Sequence, residues 1–346
     1  MALLEVDGLR VRFDVAAPGG GIERIWPVDN VALRLEPGEA LGLVGESGSG
    51  KSMTALALMG LLPRGAVLEG GAVRLGGREL LALPERELRR LRGDRIAIVF
   101  QDPSGALNPY LPIGLQLAEV LEVHRGLARH EALRRSARAL GEVGIPDPEA
   151  RLAAYPHELS GGMRQRVAIA MALLCEPKIL IADEPTTALD ATLQAQVLEL
   201  FAEARRARGT ALLLITHDLG VVARSCERVS VMYAGRLVET ASVREVFARP
   251  LHPYTLGLLE SAPRLAREGD ARPELPSIPG MPPDLARLPE GCAFHPRCAF
   301  RVQRCERERP RLSPLEEDSG GPPSARRAAC HEKERLGAPA RVEELA

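Results

Sequence analysis

The sequence has no long hydrophobic run and no excess of charge of either sign. None of its 346 residues lies in a stretch approaching the roughly 20 apolar residues of a membrane-spanning helix, so any membrane role is expected to be peripheral. Its 45 Lys and Arg residues balance 46 Asp and Glu residues, and the net charge of -1 gives no general case for nucleic-acid binding. The chain also lacks internal repeats and heptad runs.

The N-terminus lacks the pattern of a secretory leader, because acids occur early and no cationic start precedes an apolar run in Met1–Asp7. We therefore expect the chain to be cytoplasmic, where disulfides are not expected. Of its six cysteines, Cys175 and Cys226 stand alone in apolar or helical contexts and are interpreted as core residues. The other four crowd the C-terminal tail.

Short apolar runs alternate with helix-like segments up to about residue 262. This alternation predicts an α/β domain whose buried strands are covered by helices. Residues 112–175 show helical patterning without a convincing strand, which predicts a helical insertion in the sheet. The sequence also predicts a half-buried strand at Val31, Leu33 and Leu35. The predicted buried strands are Ala40–Val44, Ile96–Phe100, Ile179–Ala182 and Ala211–Ile215, and the clearest helices are Met53–Leu62 and Thr192–Arg208.

The composition changes after residue 262. Repeated prolines between residues 273 and 289 stiffen the backbone and disfavour helix. The last residues, 310–346, are charged and have little apolar patterning. We therefore predict two units: a domain over residues 1–262 and a small irregular extension over residues 263–346.

A glycine-rich segment with the pattern G-x-x-x-x-G-K-[ST] follows the first predicted buried strand. Its glycines allow backbone N–H groups to converge on a phosphate, while the lysine reaches the β- and γ-phosphates and the serine hydroxyl ligates Mg²⁺. An ordinary glycine-rich turn is the alternative, but the strand before the segment and the helix after it favour nucleotide binding. We assign nucleotide binding to Gly45, Glu46, Ser47, Gly48, Ser49, Gly50, Lys51, Ser52 and Met53.

Two acids end the predicted strand Ile179–Ala182. Asp183 is a candidate ligand for Mg²⁺ together with Ser52, and Glu184 is a candidate for orienting and polarising the attacking water. Acids that only cap a loop are the alternative, which the upstream phosphate loop makes the weaker interpretation.

The heptad Leu159–Gln165 resembles the signature sequence of the ATP-binding cassette (ABC) ATPases. Four other short motifs of that family occur in the expected order along the chain, two before this heptad and two after it. They are Phe13 as the aromatic that stacks on adenine (a core phenylalanine being the alternative), Gln101 as the Q-loop glutamine, Ala188–Asp190 as the D-loop, and His217 as the switch histidine.

The resemblance implies a P-loop NTPase cassette with a RecA-like core, an antiparallel β subdomain and a helical subdomain over about residues 103–175. It also implies a dimer in which ATP lies between the phosphate loop of one subunit and the signature of the other. In that arrangement Glu184 is the base or water-positioning group, His217 holds the γ-phosphate and the water, and Gln101 is a ligand of Mg²⁺ that senses the metal and the nucleotide. The residues expected at the composite site are Ser160, Gly161, Gly162 and Asp190.

Three further segments resemble the ATP-binding subunits of bacterial oligopeptide/dipeptide importers: Gln101–Pro109, Tyr155–Glu158 and His252–Thr255. This resemblance implies a sister ATPase subunit, two transmembrane permeases, an extracytoplasmic solute-binding protein, and a peripheral position on the cytoplasmic face of the inner membrane. Residues 107–117 would receive a permease coupling helix, a plain surface loop being the alternative. An importer of nickel, opines, glutathione or another small solute remains open, as does a soluble ABC factor acting on nucleic acid, although the net charge disfavours the latter.

The four tail cysteines have the spacing Cys292-x5-Cys298-x6-Cys305-x24-Cys330. A segment with so little apolar patterning can gain folding energy from a metal. Four thiolates suit zinc or an iron–sulfur cluster, the spacing does not decide between them, and unligated thiols are the third possibility. The resemblance to peptide importers implies a [4Fe–4S] cluster. His295 and His331 are spare ligands, more simply interpreted as surface residues.

Overall fold

The computed structural model describes residues 2–17, 19–102, 105–186, 190–261, 277–315 and 326–337. Strands in these ranges are β1 (Leu4–Ala16), β2 (Ile22–Leu35), β3 (Ala40–Val44), β4 (Ala66–Leu75), β5 (Arg78–Glu79), β6 (Ile96–Val99), β7 (Ile179–Asp183), β8 (Ala211–Thr216), β9 (Arg228–Tyr233), β10 (Arg236–Ser242), β11 (Ser313–Pro314) and β12 (Arg327–Ala328). Helices are α1 (Lys51–Leu58), α2 (Glu85–Leu91), α3 (Ile113–Arg125), α4 (Arg129–Glu142), α5 (Pro148–Arg151), α6 (Gly161–Leu173), α7 (Ala191–Arg208), α8 (Leu219–Ser225), α9 (Val243–Ala248), α10 (Pro253–Glu260), α11 (Arg304–Arg307) and α12 (Lys333–Gly337).

The main sheet has the strand order β11-β12-β10-β9-β3-β8-β7-β6. Strands β6, β7, β8, β3 and β9 are parallel, and every residue of β3, β7 and β8 is buried. Parallel strands that are covered by helices need apolar residues on both faces, which explains why their sequences are continuous hydrophobic runs. The predicted α/β core is confirmed.

Several predicted element boundaries differ from the structure by one to four residues. Helix α1 ends at Leu58 rather than Leu62, because Gly60 takes a left-handed conformation with φ of 63° that closes the last turn. Strand β6 ends at Val99, and Phe100 lies about one third exposed beyond it.

A second sheet, with the order β2-β1-β4-β5, is antiparallel. Its alternating pattern is clearest at Val31, Leu33 and Leu35, which are buried while the intervening Ala32 and Arg34 are exposed. This confirms the predicted half-buried strand and the antiparallel subdomain.

Helices α3 to α6 occupy the predicted insertion between β6 and β7, and residues 112–175, all of which are described, contain no strand. Buried residues of α3 and α6 pack with the sheet face below them, so the insertion is anchored to the core. The predicted helical subdomain is confirmed.

The C-terminal extension is built directly onto the core of the main sheet. Strand β12 pairs with β10 through Glu239 and Ala328, which adds β12 and β11 to the edge of the main sheet. Phe294 packs against Tyr233 and Tyr254 with ring centroids 5.3 and 5.4 Å apart. The predicted boundary near residue 262 lies outside the described residues.

His252 connects this edge of the sheet to α10. Its backbone N–H donates to the buried Glu239 carboxylate at 3.0 Å, and its Nδ1 accepts the N–H of Tyr254 at 3.1 Å, capping the helix. Complete burial lowers the pKa of His252 to about 3.

This buried histidine should make the fold acid-sensitive. Because unfolded His252 takes up a proton near pH 6.5 while the folded residue stays neutral down to about pH 3, acidification stabilises the unfolded state. We expect a loss of about 2 kcal/mol between pH 7 and pH 5. Denaturant titrations at both pH values measure it. His252→Asn retains a capping side chain and should show a correspondingly smaller loss; an equal loss in both proteins would contradict the assignment.

Candidate functional site

The phosphate loop joins β3 to α1 and takes a shape that only glycine permits at two points. A Cβ on Gly45 would lie 2.2 Å from the carbonyl oxygen of Met232, and one on Gly50 would lie 1.9 Å from that of Pro27. Gly50 also has a φ of 106°. The loop is therefore pressed against neighbouring backbone, with the start of α1 directly behind it.

Lys51 lies inside this loop. Its Nζ donates to the carbonyl oxygens of Gly45 at 2.7 Å and Glu46 at 2.9 Å. Burial lowers the pKa of Lys51, opposed by the nearby carboxylates of Glu184, Asp183 and Glu46. The buried Ser49 hydroxyl has no hydrogen-bond partner among the described residues. A buried ammonium and an unpaired hydroxyl at a helix start suit a phosphate ligand.

Ser52 and Asp183 meet across the carboxyl edge of the sheet. The Ser52 hydroxyl donates to Asp183 Oδ1 at 3.1 Å, and burial raises the pKa of that carboxyl. A hydroxyl and a carboxylate are oxygen donors suited to Mg²⁺, which commonly takes one or two protein ligands and fills its remaining positions with phosphate oxygens and water. The residues fit the predicted metal.

Glu184 follows Asp183 in a left-handed conformation with φ of 45°, and its N–H donates to the carbonyl of Ile215 at 2.9 Å. Its carboxylate Oε2 lies 3.4 Å from Gln101 Nε2 and 3.4 Å from His217 Nδ1. The structure thus brings the three predicted catalytic residues together although they come from three separate parts of the chain.

The cleft around the phosphate loop has walls from two regions. Core residues from the loop, together with Gln101, Glu184 and His217, form one side. Apolar residues from α10 and the segment that follows it form another: Leu258, Pro282 and Leu285.

Other predicted site residues lie elsewhere in this chain. Phe13 packs partly buried against the core in β1. The hydroxyl of Ser160 caps α6 by accepting from Met163 N at 3.3 Å, with Gly161 and Gly162 in the first turn. The carboxylate of Asp190 caps α7. None of these lines the cleft, and Ala188 and Leu189 fall outside the described residues.

Comparisons with known proteins show the family of this chain. Residues 28–187 match the ABC transporter family, and residues 238–305 match the oligopeptide/dipeptide transporter C-terminal region. The oligopeptide transport ATP-binding protein OppD of Salmonella typhimurium is 54% identical, covering 89% of each chain. The chain belongs to the ABC transporter family, in its oligopeptide/dipeptide branch. This ABC cassette is an ATP hydrolase.

Further relatives support the same placement. OppD of Escherichia coli is 51% identical to this ABC cassette over 92% of the chain and 91% of its own length. A dimeric structure of the ATP-binding cassette MJ0796, in a post-hydrolysis state bound to ADP and Pi, superposes with a TM-score of 0.61 at 28% identity. It covers 70% of this chain and 99% of that one.

Sequence reasoning missed one contact of the cassette's phosphate loop. Both terminal nitrogens of Arg297 donate hydrogen bonds to the Glu46 carboxylate, at 2.7 and 2.9 Å. The Glu46 N–H in turn donates to the hydroxyl of Tyr254 at 2.7 Å. Arg297 is 251 positions away in the cysteine-bearing segment, so no local pattern signals the pairing.

The tail cysteines of the cassette converge in space. Burial raises the pKa of Cys292 to about 11 and of Cys330 to about 12, and the thiols of Cys298 and Cys305 add to both shifts. The Cys292 N–H also donates to the carbonyl of Cys305 at 2.8 Å. Within the described ranges, however, no three His, Cys, Asp or Glu side chains are placed to hold a metal ion. The donor chemistry suits a metal, but the side chains do not form a ligand set here.

The Glu184 arrangement predicts the effect of a neutral replacement. In Glu184→Gln, the amide retains the shape but cannot accept a proton, so ATP hydrolysis should fall by roughly 10²- to 10³-fold while ATP still binds. Phosphate release and nucleotide binding measure the two properties. Glu176→Gln, which alters an exposed carboxylate 3.8 Å from Arg208, is the matched control. Wild-type turnover in Glu184→Gln would contradict the assigned role.

Proposed function

We propose that this ATP hydrolase powers the import of di- and oligopeptides through a pair of membrane permeases. The observation that carries the proposal is the 54% identity with an oligopeptide transport ATP-binding protein across 89% of the chain, together with the match of residues 238–305 to the oligopeptide/dipeptide transporter C-terminal region. The phosphate loop and the acids facing it supply the chemistry that transport needs.

The position of each residue in the site indicates its role in ATP hydrolysis. Lys51 and the loop N–H groups bind the phosphates, and Ser52 and Asp183 would hold Mg²⁺ with Gln101 beside them. Mg²⁺, when bound, neutralises charge on the β- and γ-phosphate oxygens. Glu184 orients water and accepts its proton, and His217, 3.4 Å from Glu184, contacts the γ-phosphate.

A second ATPase subunit completes the site in this proposal. Ser160, Gly161 and Gly162 begin a helix whose N-terminal N–H groups suit an anion, yet they do not line the cleft of their own chain. The resembling structures of the cassette MJ0796 are dimeric, which supports a dimer here. Phe13 would contact adenine and Asp190 would lie at the subunit interface. We propose a sister chain as the partner, forming a heterodimer.

The permeases would dock near α3. The predicted receiving segment carries exposed apolar side chains: Tyr110 is 86% exposed, and Leu111 and Leu115 are more than one third exposed. None of the described helices is long and apolar enough to cross a membrane. We place the chain peripherally on the cytoplasmic face of the inner membrane, with an extracytoplasmic solute-binding protein delivering the peptide.

Two other functions remain testable. A related importer of nickel, opines, glutathione or another small solute would use an almost identical cassette, because the substrate is selected by other subunits. A soluble factor acting on nucleic acid is the weaker alternative, since the net charge is -1 and residues 238–305 match a transporter region.

Affinity capture of the full chain from detergent-solubilised membranes tests the assembly. We expect two permeases and a sister ATPase to co-purify, and the reconstituted complex to import a labelled oligopeptide only with ATP. Lys51→Ala, which removes the ammonium from the loop, should abolish uptake while preserving co-purification. Capture without permeases, combined with DNA-stimulated hydrolysis, would favour the nucleic-acid function instead.

We propose that Cys292, Cys298, Cys305 and Cys330 hold a [4Fe–4S] cluster, with Zn²⁺ as the alternative metal. After burial, the thiols of Cys292, Cys298 and Cys305 raise the pKa of Cys330, and those of Cys298 and Cys305 raise that of Cys292, which supports the proposal because such thiols lie near one another. A cationic metal centre would stabilise the thiolates. Its role would be structural, holding the extension against the core.

Metal analysis after anaerobic purification tests the cluster. We expect brown protein with a broad visible absorption band and about four iron atoms per chain, as a [4Fe–4S] composition requires. Cys298→Ser should lower the iron content and the melting temperature, whereas Cys226→Ser, outside the tail, should retain the iron. A colourless protein with one zinc per chain would identify the alternative, and metal-free protein would refute both.

A further inference from the structure

The phosphate loop contains a carboxylate where a triphosphate has to bind. Glu46 follows Gly45 directly, and its charge reaches the Lys51 ammonium. An unpaired anion beside the phosphates would repel them, since two negative charges a few ångströms apart interact strongly in a partly buried site. In the structure, this carboxylate forms an ion pair with an arginine.

The partner is Arg297, from the segment between Cys292 and Cys298. Its two terminal nitrogens contact the two Glu46 oxygens at 2.7 and 2.9 Å, which is the bidentate geometry that makes arginine–carboxylate pairs strong. The Arg297 side chain is only 7% exposed. Hydrogen bonding to Glu46 raises the pKa of Arg297, so the guanidinium keeps its charge.

Arg297 is itself held rigidly. Its Nε donates to the carbonyl of Pro279 at 2.8 Å, and its guanidinium lies 6.0 Å from the ring centroid of Tyr233 and 5.9 Å from that of Phe294. Tyr233 belongs to β9 of the core, whereas Pro279 and Phe294 belong to the extension. The guanidinium is therefore preorganised toward the loop.

A hydrogen bond to the backbone of the loop also holds it in place. The Glu46 N–H donates to the Tyr254 hydroxyl at 2.7 Å, and Tyr254 is fully buried. Leu258, Pro282 and Leu285 then extend this contact along the wall of the nucleotide cleft. The matched C-terminal region, residues 238–305, thus reaches the phosphate loop through one ion pair, one hydrogen bond and an apolar wall.

We propose that Arg297 is a positioning residue for nucleotide binding: it neutralises Glu46 and fixes the phosphate loop, so that the cysteine-bearing extension forms part of the nucleotide site. The arginine does not touch the phosphates in this role. It acts through Glu46, which lies in the loop.

The proposal predicts a defect that a second substitution corrects. Arg297→Met removes the charge but keeps an unbranched stem to pack against Tyr233 and Phe294, and leaves the Glu46 carboxylate unpaired. We expect the Kd for ADP with Mg²⁺ to rise by about tenfold or more, since charged hydrogen bonds and unpaired charges have effects of this order. Adding Glu46→Gln removes the repelling charge, so the double variant should return to within about threefold of wild type.

Calorimetric titration of the full-length chain with ADP and Mg²⁺ measures this cycle, and thermal unfolding monitors the fold. Arg304→Ala is the matched control, because it breaks the exposed Arg304–Glu308 pair in the same extension without touching the loop. It should bind ADP like wild type.

Two results would overturn the proposal. Unchanged ADP affinity in Arg297→Met would show that Glu46 needs no partner, and a loss that Glu46→Gln does not correct would show that Arg297 only supports the extension. If Arg297→Met fails to fold, Arg297→Lys supplies the comparison. It keeps the charge and should bind ADP within about threefold of wild type at low salt, and a tenfold loss there would also refute charge neutralisation.

Discussion

The catalytic site depends on the alignment of three buried parallel strands. The register pairs Val44 of β3 with Thr216 of β8, and Asp183 of β7 with Ile215 of β8, so the three strands end at one edge. The phosphate loop follows β3, Asp183 is the last residue of β7, and His217 follows β8. Their polar groups can lie together because hydrogen-bonded apolar strands hold the backbone behind them.

That alignment also explains the electrostatics of the site. Lys51, Asp183 and Glu184 lie at the edge of an apolar core, where Lys51 and Asp183 influence each other's pKa and Glu184 influences both. Burial lowers the pKa of Lys51 and raises that of Asp183, both in the direction of the neutral form. Mg²⁺ and phosphate complement these groups with opposite charges, so binding relieves the cost of burying them. The site is therefore built to be completed by its nucleotide.

The C-terminal extension shares structure with this site. Its short strands extend the main sheet, Phe294 packs with the buried rings of Tyr233 and Tyr254, and Arg297 reaches the phosphate loop. Arg297 is also the neighbour of Cys298 in the chain. An extension that looks like an appendage from composition is thus a packed part of the ATPase.

The sequence by itself determined the parts of this protein that depend on local chemistry. Buried strands, the phosphate loop and the acids after Ala182 are contiguous patterns, because hydrophobic periodicity and glycine conformations act over a few residues. Gln101 and His217 were located differently, by the resemblance to the ABC family rather than by local chemistry. Only the tertiary structure decided that these two lie 3.4 Å from Glu184, that Ser160 caps a helix away from its own chain's cleft, and that Glu46 is paired with Arg297. Such contacts arise from how strands and extension pack across hundreds of residues, and no spacing in a linear chain encodes them.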